Sequence, residues 1–269
     1  MKLVVGSTQL SKVGFSADAT DDALGVSPRP TGKQLRCSAA APVRVMVADG
    51  ATESYLAGHW ARHLVQTGLG AVPEILDLAG VITTARETWT GELAAYESGR
   101  NDGGRPMQWY EERKAEQGSA ATLAMVDIKP SRIRTFPALR RRPVGDARIE
   151  VVGDCLAVFV RENSPVAICP TDDVGAFGNM PDLVSSTGSS ATTAVSESMD
   201  LYRGDLLLLM TDAVAVWVLD SLGRSPSPWR QLAELAGGDE SAVQAGLAQA
   251  RDAGDIRNDD LSVVAIAVR

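Results

Sequence analysis

Residues 45–54, VMVADGATES, join a short apolar run to an acid and a glycine. Val45-Met46-Val47-Ala48 is apolar and mostly β-branched, over a length typical of a buried strand. Asp49-Gly50 is a turn dipeptide, and a helical pattern follows from about Glu53. One carboxylate is therefore expected where a buried strand ends, and Gly50 lets a backbone or ligand approach it. Taken alone, the pattern is equally typical of an acid that caps or turns the chain.

Acids at the ends of predicted strands recur along the whole chain. They are Asp21-Asp22 in ATDDA, Asp154 after Val151-Val152-Gly153, Asp212 after the apolar run 206–210, and Asp259-Asp260 before the run 262–268. Hard cations take oxygen ligands, and those ligands usually converge from distant segments. The repetition favours a carboxylate-lined cation site over a set of unrelated turns.

Composition and net charge limit the classes of protein to which this chain can belong. The 269 residues carry 26 Lys and Arg against 34 Asp and Glu, which gives a net charge of −8 and a pI near 4.9. That balance argues against nucleic acid or an anionic membrane as the main partner. No apolar run has the length of a membrane span. The sparse set of Cys37, Cys155 and Cys169 indicates a reducing cytoplasm rather than a disulfide framework.

The periodicity predicts an α+β protein. Strands are predicted near 2–8, 34–39, 43–48 and 121–128, as a meander over 147–168, as a hairpin of 194–201 with 205–211, and at 262–268. Helices are predicted over 53–66, 73–97 with a break near Gly80, 107–117, 213–222, 229–236 and 241–253. No repeat or linker divides the chain, so we expect a single domain over 1–269 and a monomer. Strands cluster at both ends and in the middle of the chain, with helices in two blocks, and this arrangement indicates a layered sandwich rather than a repeating βαβ fold.

Three further patterns have more than one interpretation. His59 and His63 have a spacing that can bind a metal, but they flank Leu56 and Trp60 and are interpreted as ordinary residues at a helix flank. The basic stretch 131–143, SRIRTFPALRRRP, is typical of a solvated loop or of a docking patch for an acidic or phosphorylated partner. Cys155 and Arg161 have the C-x5-R spacing of cysteine-dependent phosphatases, but the residues between them are a strand without cradle glycines.

Six segments together resemble the PPM-type (type 2C-like) metal-dependent serine/threonine protein phosphatases, and more narrowly their bacterial branch. They are ATDDA (19–23), VADGATES (47–54), QWYEERKAEQGSAATL (108–123), VVGDCLAVFV (151–160), GDLLLLMTDA (204–213) and NDDLSVVAI (258–266). The resemblance covers nearly the whole chain. It implies a four-layer sandwich of two antiparallel β-sheets flanked by α-helices, with two Mg²⁺ or Mn²⁺ ions at one end.

The resemblance also implies roles for the acids. Asp49 would bridge both ions, assisted by the Gly50 carbonyl, and Asp21 would hold one of them. Asp212 and Asp259 would hold the other. Three more acids would shape and support this site without direct ligation: Asp22, Asp154 and Asp260. Asp49 and Asp212 would matter most for catalysis.

The chain departs from the family's pattern at four places. Ala17 stands where an arginine usually holds the phosphate, Ala51 follows the central Asp-Gly in place of a histidine, Asp21 replaces a glutamate, and Ala213 replaces a glycine after Asp212. These departures affect phosphate binding and leaving-group protonation more than metal binding. Lys12, or alternatively Lys114, could replace the missing arginine as a point charge.

The activity implied is hydrolysis of phosphoserine and phosphothreonine in proteins, by a water that two divalent ions activate. A partner serine/threonine kinase is possible in such a system. The alternative is a pseudophosphatase, which would bind phosphoproteins or regulate a kinase without turnover. The retained acids favour catalysis, because a site without function has no reason to keep mutually repelling carboxylates.

Overall fold

The computed structural model describes residues 1–16, 19–72, 74, 77–104, 106–131, 142–177, 180–188, 193–222 and 227–269. Two sequence predictions fall outside these ranges. One concerns Ala17 as the position of the missing arginine, and the other concerns the basic stretch, of which residues 132–141 are not described.

The described strands form two antiparallel sheets. In chain order they are β1 (Lys2–Leu10), β2 (Ala23–Ser27), β3 (Gln34–Arg36), β4 (Val43–Gly50), β5 (Ala120–Pro130), β6 (Gly145–Val152), β7 (Leu156–Arg161), β8 (Ser164–Cys169), β9 (Val184–Ser185), β10 (Val195–Leu201), β11 (Leu206–Met210) and β12 (Leu261–Val268). The first sheet has the order β3-β1-β12-β11-β7-β8. The second has the order β10-β6-β5-β4-β2, with β9 paired to β5.

Six α-helices are described, and five of them pack outside the two sheets. They are α1 (Ala57–Gly70), α2 (Leu78–Asp102), α3 (Trp109–Gln117), α4 (Asp212–Asp220), α5 (Pro228–Gly237) and α6 (Glu240–Asp252). Helix α1 packs on the second sheet and against α2, whereas α4, α5 and α6 cover the first sheet. The predicted four-layer α+β sandwich is confirmed.

The continuous apolar run of β4 follows from burial on both faces. Val45 and Val47 lie in the core between the two sheets, whereas Met46 and Ala48 pack under α1 and α2. Side chains alternate faces along a strand, so a strand covered on both sides needs no polar positions. The run of β11 divides in the same way, between the central core and the helices of the other face.

Two predicted strand pairings are wrong. In the stretch 147–168, β7 and β8 pair as the predicted meander requires, but β6 belongs to the second sheet and does not pair with β7. The stretches 194–201 and 205–211 are not a hairpin, because β10 pairs with β6 and β11 pairs with β7 and β12. A short connection can join neighbours in one sheet or cross between two facing sheets, and local sequence does not distinguish the two cases.

Two helix starts and one strand also differ from the prediction. Helix α1 begins at Ala57, after Leu56 adopts a left-handed conformation with φ 50°. Helix α2 begins at Leu78, where the Asp77 side chain accepts a hydrogen bond from Gly80 N, so Gly80 belongs to the first turn and does not break the helix. Strand β2 is not among the strands that the sequence predicts.

Within the described ranges, none of the helices combines the length and the apolar content that crossing a bilayer requires.

A buried ion pair ties β4 and β5 to α1. Arg44 and Asp127 are directly opposite in the strand register, and Arg44 is only 1% exposed. The guanidinium makes two hydrogen bonds of 2.7 Å to the carboxylate and a third of 3.0 Å to the Gly68 carbonyl. Removing one partner of such a pair leaves an uncompensated charge in the core.

We expect Asp127→Ala to lower the free energy of unfolding by about 3–5 kcal/mol, because Arg44 stays buried without its carboxylate. The double variant Arg44→Met/Asp127→Leu should recover most of that loss, because it removes both charges and keeps the volume. Urea unfolding of the three proteins measures both effects. An exposed ion pair contributes up to about 1 kcal/mol to stability. If Asp127→Ala lowers the free energy of unfolding by less than that, this account is contradicted.

Candidate active site

The strand register brings the predicted acids to one end of the sandwich. In antiparallel sheets the carboxyl end of one strand lies beside the amino end of its neighbour. The carboxyl end of β4 therefore lies beside the start of β2, with Ala48 opposite Ala23, and Asp49 is opposite Thr122 of β5. The end of β11 lies beside the starts of β7 and β12. Every predicted acid precedes or follows one of these strand ends.

Asp22 is the most enclosed acid, and it joins the two sheets. It is 2% exposed, and its Oδ2 accepts a 2.9 Å hydrogen bond from the Thr211 hydroxyl. That hydroxyl in turn accepts a bond from Ser262 N at 3.1 Å. The other oxygen, Asp22 Oδ1, is buried without a hydrogen-bond partner among the described residues. Burial of a carboxylate oxygen without a partner raises the free energy of the native state. Binding of a proton or a cation at this oxygen would therefore stabilise the site.

Asp260 organises the backbone of the first loop. Its Oδ1 accepts a 2.9 Å bond from Lys12 N, and its Oδ2 accepts a 2.8 Å bond from Asp21 N. Both carboxylate oxygens of Asp260 therefore accept hydrogen bonds from main-chain N–H groups some 240 residues earlier in the sequence. This geometry suits a supporting role, because Asp260 holds Asp21 in place.

Two basic side chains lie among the acids on the other side of the site. Arg257 NH2 forms an ion pair with Asp212 Oδ2, and its Nε lies 3.4 Å from Asp259 Oδ2. Lys12 Nζ lies 2.9 Å from the other oxygen of Asp259. Asp212 Oδ1 is buried and has no described partner. In the described ranges, no three acidic, histidine or cysteine side chains are arranged as they stand to hold one metal ion.

Burial, and then the charges of neighbouring acids, raises the pKa values of four acids of the site, Asp21, Asp22, Asp49 and Asp154. Burial, and then the charges of Asp22, Asp154 and Asp259, raise the pKa of Asp49 well above its usual value of 3.8. Burial raises the pKa of Asp22 to about 7, against hydrogen bonds that lower it. Burial also raises the pKa values of Asp21 and Asp154. Acids from four segments therefore form one interacting group, namely Asp21-Asp22, Asp49, Asp154 and Asp259-Asp260. Asp212, from a fifth segment, is joined to this group through its ion pair with Arg257.

Two glycines make room for Asp21. A Cβ on Gly50 would lie 2.8 Å from Asp21 O, and a Cβ on Gly58 would lie 2.7 Å from Asp21 Oδ1 and 2.9 Å from Asp21 Cα. The sequence indicates Gly50 through its place after Asp49, but it contains no signal for Gly58. Close approach of the first loop to β4 and α1 requires both positions to lack a side chain.

The cysteine alternative does not match the structure. Cys155 is fully buried, and its pKa is raised well above 9.0 by burial and then by the Asp49 charge, so it is not a thiolate. Arg161 lies at the other end of β7, where it binds Asp205 bidentately with distances of 2.9 and 2.8 Å. Six residues of extended strand separate the two side chains by roughly 20 Å.

Both histidines face α2 rather than the acids. His63 Nε2 lies 3.0 Å from the Ala85 carbonyl and 2.9 Å from the Thr88 hydroxyl. His59 packs edge to face with Tyr96, with ring centroids 4.7 Å apart. These contacts agree with the interpretation of both residues as belonging to a helix flank.

Sequence reasoning missed Arg257 and Thr211. Arg257 stands two residues before Asp259, and a cation this close to a predicted ligand was a usable signal. Thr211 directly precedes Asp212, where its residue type indicates only a helix N-cap. Its actual role is to hold Asp22 across the two sheets.

Comparison with solved structures identifies the fold. Sequence searches against protein-family models and against curated proteins give no match. The structure is similar to a serine/threonine phosphatase from Staphylococcus aureus, with a TM-score of 0.57, 14% identity, and coverage of 98% of this chain and 94% of that one. The chain has a PPM-type phosphatase-like fold.

Two other solved structures show the same PPM-type architecture. The Mycobacterium tuberculosis serine/threonine phosphatase PstP/Ppp gives a TM-score of 0.54 at 13% identity, with 100% of both chains covered. The photosystem II phosphatase PBCP gives 0.55 at 15% identity, with 99% of both chains covered. At this level of identity, what the chains share is the fold.

The raised pKa of Asp22 predicts how stability depends on pH when a chelator is present. The native state binds a proton that the unfolded state releases between pH 3.8 and about 7, so stability should fall as pH rises through that window. From about pH 5 to about pH 8 the loss from Asp22 should be about 3 kcal/mol.

Thermal melts of the wild type and Asp22→Asn across this range test the effect. The amide stays neutral, so the variant should lose less stability than the wild type, while Asp146→Asn, at an exposed position on β6, should follow the wild type. Parallel pH profiles for the wild type and Asp22→Asn would show that Asp22 does not titrate in this way.

The close contact between Gly58 and Asp21 generates a second prediction. Gly91→Ala on α2 meets no atom within 4 Å, so it should stabilise the protein by about 0.5–1 kcal/mol through helix propensity. Gly58→Ala is also helical but meets Asp21, so it should instead destabilise by about 1–3 kcal/mol. Urea unfolding compares the pair. Equal stabilisation by both would place the Asp21 loop away from α1.

Proposed function

We propose that this protein hydrolyses phosphoserine and phosphothreonine in proteins, using a water activated by two divalent cations. One observation carries the proposal: carboxylates from separate segments of the chain converge at one end of a PPM-type fold, where burial and then their mutual proximity raise the pKa values of Asp21, Asp22, Asp49 and Asp154. Such a concentration of perturbed acids is typical of a functional site, because an ordinary surface would disperse them.

The residues present fit divalent cations. Every candidate ligand side chain is a carboxylate, the type that Mg²⁺ and Mn²⁺ prefer. Asp22 Oδ1 and Asp212 Oδ1 are buried without partners among the residues that the structure describes, and the basic groups of Arg257 and Lys12 already pair with the acids. In our assignment Asp49, with the Gly50 carbonyl, would serve both ions, Asp21 would hold one, and Asp212 and Asp259 would hold the other. Mn²⁺ and Mg²⁺ are both compatible with these ligands.

The remaining acids position this set. Asp260 holds the backbone of Asp21 and Lys12, and Asp22 links the first loop to Thr211 beside Asp212. Asp154, 6% exposed, adds its charge next to Asp49. The bound cations would supply Lewis acidity toward phosphoryl oxygens and a water of lowered pKa.

The biological setting is part of the same proposal. The natural partner would be a phosphorylated protein, and a serine/threonine kinase would produce it. We take residues 1–269 as one catalytic domain, since the central core draws on both sheets. Cys37, Cys155 and Cys169 are free and buried, which supports a reducing compartment such as the cytoplasm.

A pseudophosphatase is the second candidate, and one observation favours it. Arg257 and Lys12 pair with two of the proposed ligands, and no three described acids are arranged for a metal ion as they stand. A protein in which these ion pairs persist would bind phosphoproteins or regulate a kinase without turnover. The two candidates differ in whether Mn²⁺ displaces the basic side chains from the acids.

Hydrolysis of a phosphoserine or phosphothreonine peptide tests the proposed activity. Turnover should require Mn²⁺ or Mg²⁺, and a chelator should abolish it. Asp49→Asn should lower kcat by on the order of hundredfold or more, because it weakens both ions. The exposed control Asp146→Asn should keep wild-type turnover. Full activity in Asp49→Asn would exclude the proposed mechanism.

Thermal melts separate the two candidates. Mn²⁺ at a hundredfold excess over Kd should stabilise the wild type by about 2.7 kcal/mol, which raises Tm by about 2–4 °C per kcal/mol. Asp49→Asn should show a smaller rise. No rise with Mn²⁺, together with binding of the intact phosphopeptide and no hydrolysis, would favour the pseudophosphatase.

A further inference from the structure

Arg257 bridges two acids that come from different parts of the fold. Its NH2 pairs with Asp212 at the start of α4, and its Nε lies 3.4 Å from Asp259 before β12. The same guanidinium is close enough to Asp154 to lower the pKa of that carboxyl, against the larger effect of burial. It therefore lies within the acid cluster and not at its periphery.

The exposure of Arg257 distinguishes it from a structural arginine. Its side chain is 43% exposed, whereas Arg44 in the core is 1% exposed. Water screens the charge of a guanidinium this accessible, so its ion pairs contribute less to folding than the enclosed pair of Arg44 and Asp127 does. One face of the guanidinium contacts acids and the rest faces solvent, so Arg257 stands at the mouth of the site.

A cation held by Asp212 and Asp259 would compete with Arg257 for the same carboxylate oxygens. An arginine that loses its carboxylates keeps its charge and its five N–H donors, and it then needs a new anion. A phosphate bound at that cation would lie within one side-chain length of Arg257. The planar fork of guanidinium matches two phosphate oxygens, which a lysine ammonium cannot do.

Lys12 is the weaker candidate for this role. Its side chain is 21% exposed, and its Nζ already contacts Asp259 at 2.9 Å and the Thr52 hydroxyl at 3.5 Å. Its backbone N–H is also tied to Asp260. These contacts orient Lys12 toward the acids from the inner side of the loop.

On the basis of the proposed function, we propose that Arg257 binds the phosphate group of the substrate. It would supply the guanidinium that the family resemblance expects at position 17, where this chain has alanine. In this proposal, Arg257 pairs with Asp212 and Asp259 when no cation is bound there. Cation binding at those acids would release the guanidinium, which would then bind phosphate. This makes Arg257 both a competitor of the metal and a ligand of the substrate.

The two roles predict opposite effects of one substitution. In Arg257→Gln, Mn²⁺ should bind as tightly as in the wild type or severalfold more tightly, because a competing cation is gone. Inorganic phosphate should bind the Mn²⁺-saturated variant about tenfold or more weakly, because a charge-assisted bidentate contact is lost. Arg257→Lys, which keeps the charge without the fork, should fall between the wild type and Arg257→Gln.

Isothermal titration of the full chain, first with Mn²⁺ and then with inorganic phosphate, measures both affinities. Arg148→Gln is the matched control, because Arg148 is also exposed and paired to one acid, Glu150, but lies on β6 four residues, or about 13 Å, before that strand ends at Val152. Both affinities of the control should equal those of the wild type.

Other outcomes overturn the inference. Phosphate affinity in Arg257→Gln within twofold of the wild type would remove Arg257 from the phosphate site, and a loss confined to Lys12→Ala would assign the role to Lys12. Weaker binding of both ligands by Arg257→Gln would indicate a structural role. Wild type that binds Mn²⁺ but no phosphate would overturn this inference alone, whereas wild type that binds no Mn²⁺ would overturn the proposed function as well.

Discussion

Repulsion among carboxylates is the constraint on which the rest of this structure depends. Two unit charges about 4 Å apart interact with about 4 kcal/mol at an effective dielectric constant near 20. Several acids held within reach of one another would therefore separate unless a rigid framework opposed them. Two sheets with a shared core provide that framework, because each acid stands at a strand end whose position is set by backbone pairing.

The structure relieves this repulsion in three ways. Burial raises the pKa values of Asp22 and Asp49, so that protons neutralise part of the charge. Hydrogen bonds from main chain and from Thr211 satisfy some of the oxygens. Arg257 and Lys12 supply positive charge on the remaining side. A divalent cation would replace the first and third of these at once, which is why the cluster suits metal binding.

The sequence predicts the layers of the fold and the acids of the candidate site better than it predicts which strands pair. The runs of β4 and β11 indicate strands buried on both faces, and the acids at their ends are the ones that converge. Which strand pairs with which is not encoded locally, since the turn at Gly153 resembles a hairpin turn although it carries the chain between sheets. Arg257 was missed because a lone arginine beside an acid has many ordinary roles, and only the fold brings it to Asp212.

The pairing of the first and last strands has a consequence for how the protein folds. Strand β1 lies between β3 and β12, and Leu3 is opposite Val268. During synthesis the edge of β1 that pairs with β12 therefore stays unpaired until the last strand of the described fold has been made. Contacts between such distant segments slow folding, because the chain loses the entropy of closing the long loop before any of these contacts stabilises it. The carboxylate cluster includes Asp259 and Asp260, just before β12, so it is among the last features to form and is absent from a partly made chain.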